Sequence, residues 1–149
     1  MSVALPDVNV LVALLDPAHP NHDAAHAWFR VHRSRGWATT PLTINGCVRV
    51  LSNPAYPTVE CTPAEVVESL KVIMASPSHC FWPDTLSVAD ESAIHPQLLS
   101  GHSQITDACL LALAVANDGR LVTFDRRIPV KAVAGARPAH VDLLSPQRH

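Results

Sequence analysis

The chain has 149 residues, 48% of them hydrophobic and 16% charged, with a formal net charge of -2. That length is enough for one domain with a substantial core, and the apolar fraction excludes wholesale disorder. The near-neutral balance excludes a chain-wide basic field for nucleic acid, though not a local arginine cluster. In chain order, Val3–Leu5 reads as a short apolar strand ended by Pro6 and Asp7. Asp7 is placed to cap a helix from Val8 to about Leu15, which Asp16 and Pro17 stop. A second helix is expected from near Asn21 through Val31, before Gly36. Trp37–Thr40 reads as a brief strand, and Thr43–Leu51 as a helix closed by Ser52, Asn53 and Pro54. Thr62, Pro63, Ala64 and Glu65 form a capping box with proline at the first helical position. The helix it opens turns Val66, Val67, Leu70, Ile73 and Met74 toward the core.

Pro77 ends that helix, and His79–Trp82 reads as another strand. Asp84–Ser103 is expected to be irregular, with a turn around Ile94–Leu99. A helix over Ile105–Ala116 ends at Asn117, Asp118 and Gly119, and Arg120–Phe124 is a buried strand. A short helix near Ile128–Ala134 and an edge strand at Val141–Leu143 complete the chain. This alternation predicts an α/β protein, three layers α/β/α with a central, mainly parallel sheet, in which residues 1–149 form a single domain. No apolar run approaches the roughly 18–20 residues that span a membrane. Met1, Ser2 and Val3 lack the basic start of a secretory leader. Cys47, Cys61, Cys80 and Cys109 are widely spaced and read as reduced thiols of a cytoplasmic protein.

Three carboxylates interrupt the apolar pattern. Asp7 separates Val3–Pro6 from Val8–Val12, Asp107 leads Ala108–Val115, and Asp125 follows Leu121–Phe124. A carboxylate pressed against core-forming segments is costly unless it is paired, hydrogen-bonded or bound to a metal. In an open parallel sheet, ligands sit beyond the carboxyl ends of the strands, so Asp7 and Asp125 meet if their strands are neighbours. Asp107 joins them only if its helix starts at the same edge. Converging carboxylates repel, and a hard cation such as Mg²⁺ or Mn²⁺ resolves the repulsion, activating a water against a phosphodiester. Asn9 and Thr123, each two residues from an acid, are placed to support a carboxylate or a water. Each acid also has an ordinary reading: Asp7 as a helix cap, Asp107 as a complement to the helix dipole, Asp125 as part of a strand-end turn paired with Arg126 or Arg127.

Taken together, the stretches Pro6–Leu14, His22–Phe29, Thr40–Pro57, Ile105–Ala114 and Gly119–Ile128 resemble, in order and over nearly the full chain, the PIN-domain family and its VapC-type toxins of toxin–antitoxin modules. The resemblance implies a ribonuclease dependent on Mg²⁺ (or Mn²⁺), blocked by a cognate VapB-like antitoxin and commonly a homodimer. It implies that Asp7 and Asp107 are the principal metal-binding acids and Asp125 the late acid of that site. One departure is visible. The family usually carries a further acid, often Glu, at the start of the helix after the second strand, where this chain has Thr43, Ile44, Asn45 and Gly46. A one-ion site with Asn45 as a neutral helper and a weak enzyme are both open, as is a catalytically silent domain that binds RNA or a partner.

Other residues admit second readings. His19, His22 and His26, with Asp23, have a spacing that suggests zinc, against a solvent-facing or interface helix. Arg49, Arg126 and Arg127 are candidates to grip RNA phosphates, or else form surface ion pairs with Asp84, Asp90 or Glu91. Trp28, Phe29 and Trp37 read as core or interface residues rather than base-stacking platforms, and Cys109, mid-helix, as packing rather than a nucleophile. Phosphoryl transfer through a phospho-aspartate at Asp7 is a further reading, but it wants a nearby lysine and only Lys71 and Lys131 are present.

Overall fold

Successive residues of a strand point to opposite faces of a sheet, and this alternation decides the layers. The computed structural model describes residues 2–146, so Met1 and residues 147–149 of the expected single domain lie outside the described residues. Strands β1 (Ala4–Pro6), β2 (Trp37–Thr39), β3 (His79–Phe81), β4 (Arg120–Thr123) and β5 (Val141–Leu143) form one sheet in the order β3-β2-β1-β4-β5. Every pairing is parallel, with Leu5 opposite Leu121 and Trp37 opposite His79. Ala4, Trp37 and Val122 face a core shared with α1 (Val8–Leu15), α2 (His22–His32), α3 (Pro41–Leu51) and α4 (Pro63–Met74). Leu5, Ala38 and Leu121 face a second core built on α5 (Ile105–Ala116) with Trp82, Ile94 and Val133. Helices therefore cover both faces of the sheet, as the alternation predicts.

Local signals set most boundaries. Thr62 and Glu65 exchange backbone–side-chain hydrogen bonds of 3.1 and 3.2 Å, so the capping box opens α4 at Pro63. Helix α3 begins at Pro41, two residues before the predicted start at Thr43. The reason is that proline fits the first helical turn, where its missing N–H is not needed. The predicted helix near Ile128–Ala134 is a single 3₁₀ turn, Val130–Ala132, bounded by Pro129 and by an antiparallel bridge between Ile94 and Val133. Trp28, Phe29 and Trp37 are buried, and the four cysteines are free thiols.

The topology places the site. From β1 the chain steps outward to β2 and then β3, whereas β4 lies on the other side of β1 and leads to β5. The crevice between the carboxyl ends of β1 and β4 is thus a switch point, where ligands of such sheets bind. The turn from α5 into β4 is tight: Asp118 has a φ of 53°, and a Cβ on Gly119 would come within 2.6 Å of the Val3 carbonyl oxygen. Helix α5 consequently runs back along β4 and starts at the carboxyl edge. The geometric condition on Asp107 is met.

Candidate active site

Asp7 follows β1 directly and caps α1, its Oδ1 accepting the Val10 N–H at 2.9 Å. Its Oδ2 accepts the Thr123 hydroxyl at 2.6 Å, which joins the end of β1 to the end of β4. Thr123 Oγ1 in turn accepts the Asp125 N–H at 2.9 Å, and Asp125 Oδ1 accepts the Arg127 N–H at 2.8 Å. Thr123 therefore supports an acid, one of the two roles its position suggests.

Asp7, Asp107 and Asp125 line one cavity of about 350 Å³. Val8, Asn9, Leu42, Asn45, Gly46, Arg49, Val50, Ser103, Thr106 and Leu110 complete it. A smaller recess of about 50 Å³ shares Ser103, Asp107 and Asp125 with it and adds Ser100, Gln104 and Arg127. Asp7 is only 4% exposed. Burial pushes its carboxyl above the usual range and the Asp125 charge adds to this, against the Thr123 and Val10 hydrogen bonds. Burial, and then the charges of Asp7 and Asp125, push Asp107 up to about 6. Asp7 thus feels the Asp125 charge and Asp107 feels both of the others, so Asp7 and Asp107 carry an unmet demand for positive charge.

The donor set fits a hard divalent cation. It consists of carboxylate oxygens with amide and hydroxyl neighbours, and contains no thiol or imidazole. Among the described residues no three His, Cys, Asp or Glu side chains form a group able to hold a metal by themselves. A protein-only cage, as zinc takes in structural sites, is therefore not built here. Magnesium and manganese keep several waters and need one or two direct carboxylates, so that finding does not count against them.

The remaining candidates divide. Asn9, Asn45 and Arg49 line the main cavity, whereas Ile44 packs against the first core. Of the two residues where the resembled family carries its further acid, Asn45 is the one that faces the site. Arg127 reaches the recess and pairs with Asp125, Nε to Oδ1 at 3.6 Å, while Arg126 lines neither cavity. The surface-pair reading of Asp125 is thus realised beside its place in the cavity. In the histidine group, His19 Nδ1 accepts the Asn21 N–H at 3.0 Å and His22 Nδ1 bonds the Ala13 carbonyl at 2.8 Å. The first is a local helix-start contact and the second ties the start of α2 to α1, and the zinc reading gains no third ligand. Lys71 pairs with Glu68 on α4, and neither lysine lines the cavity, which removes the cation a phospho-aspartate site needs.

Sequence reading missed Leu42, Gly46 and Val50, although with Asn45 and Arg49 they make one helical face at spacings of three and four. Gly46 lets α3 approach α1 closely: a Cβ there would lie 2.5 Å from Val8 Cγ2. Ser103 and Thr106 were also missed, and their nearness to Asp107 was the only available signal.

The PIN domain family matches residues 4–134. Ribonuclease VapC44 of Mycobacterium tuberculosis is 46% identical over 141 residues, 95% of this chain and 99% of its own length. Ribonuclease VapC39 of the same organism is 45% identical over 132 residues, 89% of this chain and 95% of its own. Among solved structures, VapBC2 from Rickettsia felis, bound to a DNA fragment from its promoter, aligns at a TM-score of 0.63 and 10% identity, covering 96% of this chain and 99% of that one. Mycobacterium tuberculosis VapC20, a toxin that cleaves the sarcin–ricin loop, aligns at 0.61 and 11% identity, covering 91% and 99%. At those identities the structures speak for the fold. The full-length sequence relatives speak for more: the chain belongs to the PIN-domain family, among its VapC-type members.

Proposed function

We propose that this protein is the toxin of a type II toxin–antitoxin pair, an endoribonuclease that hydrolyses RNA phosphodiester bonds with Mg²⁺ or Mn²⁺ held by Asp7, Asp107 and Asp125. The observation that carries the reading is that these acids, from three separate elements, line one cavity at the switch point of the sheet. The bound ion supplies Lewis acidity and a water of lowered pKa. Thr123 and the Val10 N–H fix the Asp7 carboxylate against rotation. Asn9 and Asn45 offer neutral amides to the water or the ribose, and Asn45 adds no charge where a further acid would stand. Arg49 in the cavity and Arg127 in the recess offset phosphate charge on either side of the acids. Water adds to phosphorus as the 3′ oxygen leaves and takes a proton, so the products carry a 5′-phosphate and a 3′-hydroxyl.

The partners are an RNA substrate, a cognate VapB-like antitoxin and a second copy of the chain, and the compartment is the cytoplasm. Among the described residues no helix is long and apolar enough to cross a membrane. RNA cleavage with and without EDTA, followed by end-group analysis, tests the reading. Cleavage is expected to stop with chelator and return with Mn²⁺. Chelator-insensitive cleavage or cyclic-phosphate ends reject it, and RNA binding without any cleavage favours the silent domain.

A further inference from the structure

The elements that carry the three acids are joined by one chain of hydrogen bonds, and Gln104 is its last link. The chain runs from the Val10 N–H to Asp7, from Asp7 to Thr123, from Thr123 to the Asp125 N–H, and from Asp125 to the Arg127 N–H. Gln104 Nε2 then donates to the Arg127 carbonyl at 3.0 Å, and Gln104 Oε1 accepts the Ser100 N–H at 2.7 Å. Both ends of the amide are used. Beyond its own 3₁₀ turn, closed by the Gln104 N–H to the Gly101 carbonyl at 3.1 Å, the segment it ties down is open: residues 100–103 are exposed, and a Cβ on Gly101 would meet nothing within 4 Å. Gln104 immediately precedes α5, whose first turn carries Asp107. It also lines the recess that Asp107 and Asp125 share.

We infer that Gln104 is a positioning residue: its side-chain amide clamps the start of α5 to the turn after β4 and thereby sets the spacing of Asp107 from Asp125. The inference rests on the metal-site reading above and adds to it a residue that acts through the placement of Asp107 and Asp125. Asp107 and Asp125 share one recess, and like charges placed together repel, which works to open that spacing. An amide bridging the two segments opposes it without adding charge.

Gln104→Met keeps the length and removes both hydrogen bonds. Mn²⁺ uptake by the free protein, measured by titration calorimetry at pH 7.5, is expected to weaken about 10- to 100-fold, a span typical of losing an outer-shell partner. The Tm of the metal-free protein is expected to stay within about 3 °C, as for a partly exposed contact. A purely structural role would instead lower the Tm and leave the affinity of the folded protein unchanged. If Gln104→Met fails to fold, Gln104→Asn, whose shorter amide reaches one partner at most, is measured in the same way. Unchanged Mn²⁺ affinity in a folded variant overturns the inference while leaving the nuclease reading intact. Absence of Mn²⁺ uptake by the unsubstituted protein overturns both.

Discussion

Helix α1 carries a buried aspartate at each end, and the two have opposite fates. Asp16, fully buried at the C-terminal end, accepts the Tyr56 hydroxyl at 2.6 Å, the Thr58 hydroxyl at 2.5 Å and the Ala18 N–H at 3.0 Å. Burial works to push its carboxyl up, but the Thr58 and Tyr56 bonds, with Ala18 and nearby His19, hold it below the usual range. Asp7, at the N-terminal end, has one hydroxyl and the backbone N–H groups of Val10 and Asn9, but it faces two further acids. Its carboxyl is held above the usual range, with burial the largest cause. The helix dipole alone would give the reverse order, because anions are favoured at N-termini. Burial therefore does not mark a functional acid. What differs is the surroundings: Asp16 is satisfied by two hydroxyls and an N–H beside His19, whereas Asp7 faces two further acids, as the proposed metal site requires.

The comparison breaks first on activity. Asp7→Asn retains a good N-cap, so the protein is expected to fold, yet RNA cleavage is expected to fall about 10³-fold or more as the site loses a metal-binding oxygen. Near-normal cleavage by this variant would remove Asp7 from the site. Asp16→Ala is the converse. It removes the charged acceptor of the Tyr56 and Thr58 hydroxyls from a fully buried position and is expected to cost about 2–4 kcal/mol. That corresponds to a Tm lower by roughly 5–15 °C in a chain of this size, with Mn²⁺ affinity of the folded fraction unchanged.

Metal sharpens the contrast. At a free Mn²⁺ concentration of about 100 times Kd, the unsubstituted protein is expected to gain about 2.7 kcal/mol, and Asp7→Asn to gain little. A thermal melt series reads both. A smaller effect is expected from pH. Because Asp107 ionises near 6 in the fold and near 3.8 unfolded, its charge destabilises the metal-free protein. That penalty is absent below about pH 4, grows between the two values and is complete above the higher one. Asp107→Asn is therefore expected to melt above the unsubstituted protein at pH 7.5 without metal, and level with it at pH 4. Asp16 has the opposite sign, contributing stability at neutral pH that is lost in acid. The smallest effect belongs to Arg49→Ala, which is expected to lower the salt dependence of RNA binding by about one phosphate contact and leave Mn²⁺ uptake untouched.

Sequence revealed the fold because its strands are short, apolar and punctuated, and because Asp7, Thr62 and Pro63 are strong local signals. The three acids that line the cavity stand out in the sequence for the same reason: each is a charge beside an apolar run. Asp16 reads there only as a helix stop, and its structural role is hidden because the hydroxyls that satisfy it come from about 40 residues away. Nor could sequence choose between Ile44 and Asn45, because that depends on how α3 is rolled against α1 at Gly46 and Val8. Gln104 was silent for a similar reason. A half-buried glutamine in a 3₁₀ turn has no pattern, and its meaning lies in the Arg127 carbonyl it reaches.

The hydrogen bond between Asp7 and Thr123 spans 116 positions of the chain, and this has a consequence for synthesis. At about 5–20 residues per second, the ribosome delivers the first acid many seconds before the strand that completes its surroundings. A nascent polypeptide stalled short of β4 has three of the five strands but lacks Thr123 and Asp125. Under the proposed function, unfinished copies would be inactive, and an inhibitor would have the interval of translation in which to arrive.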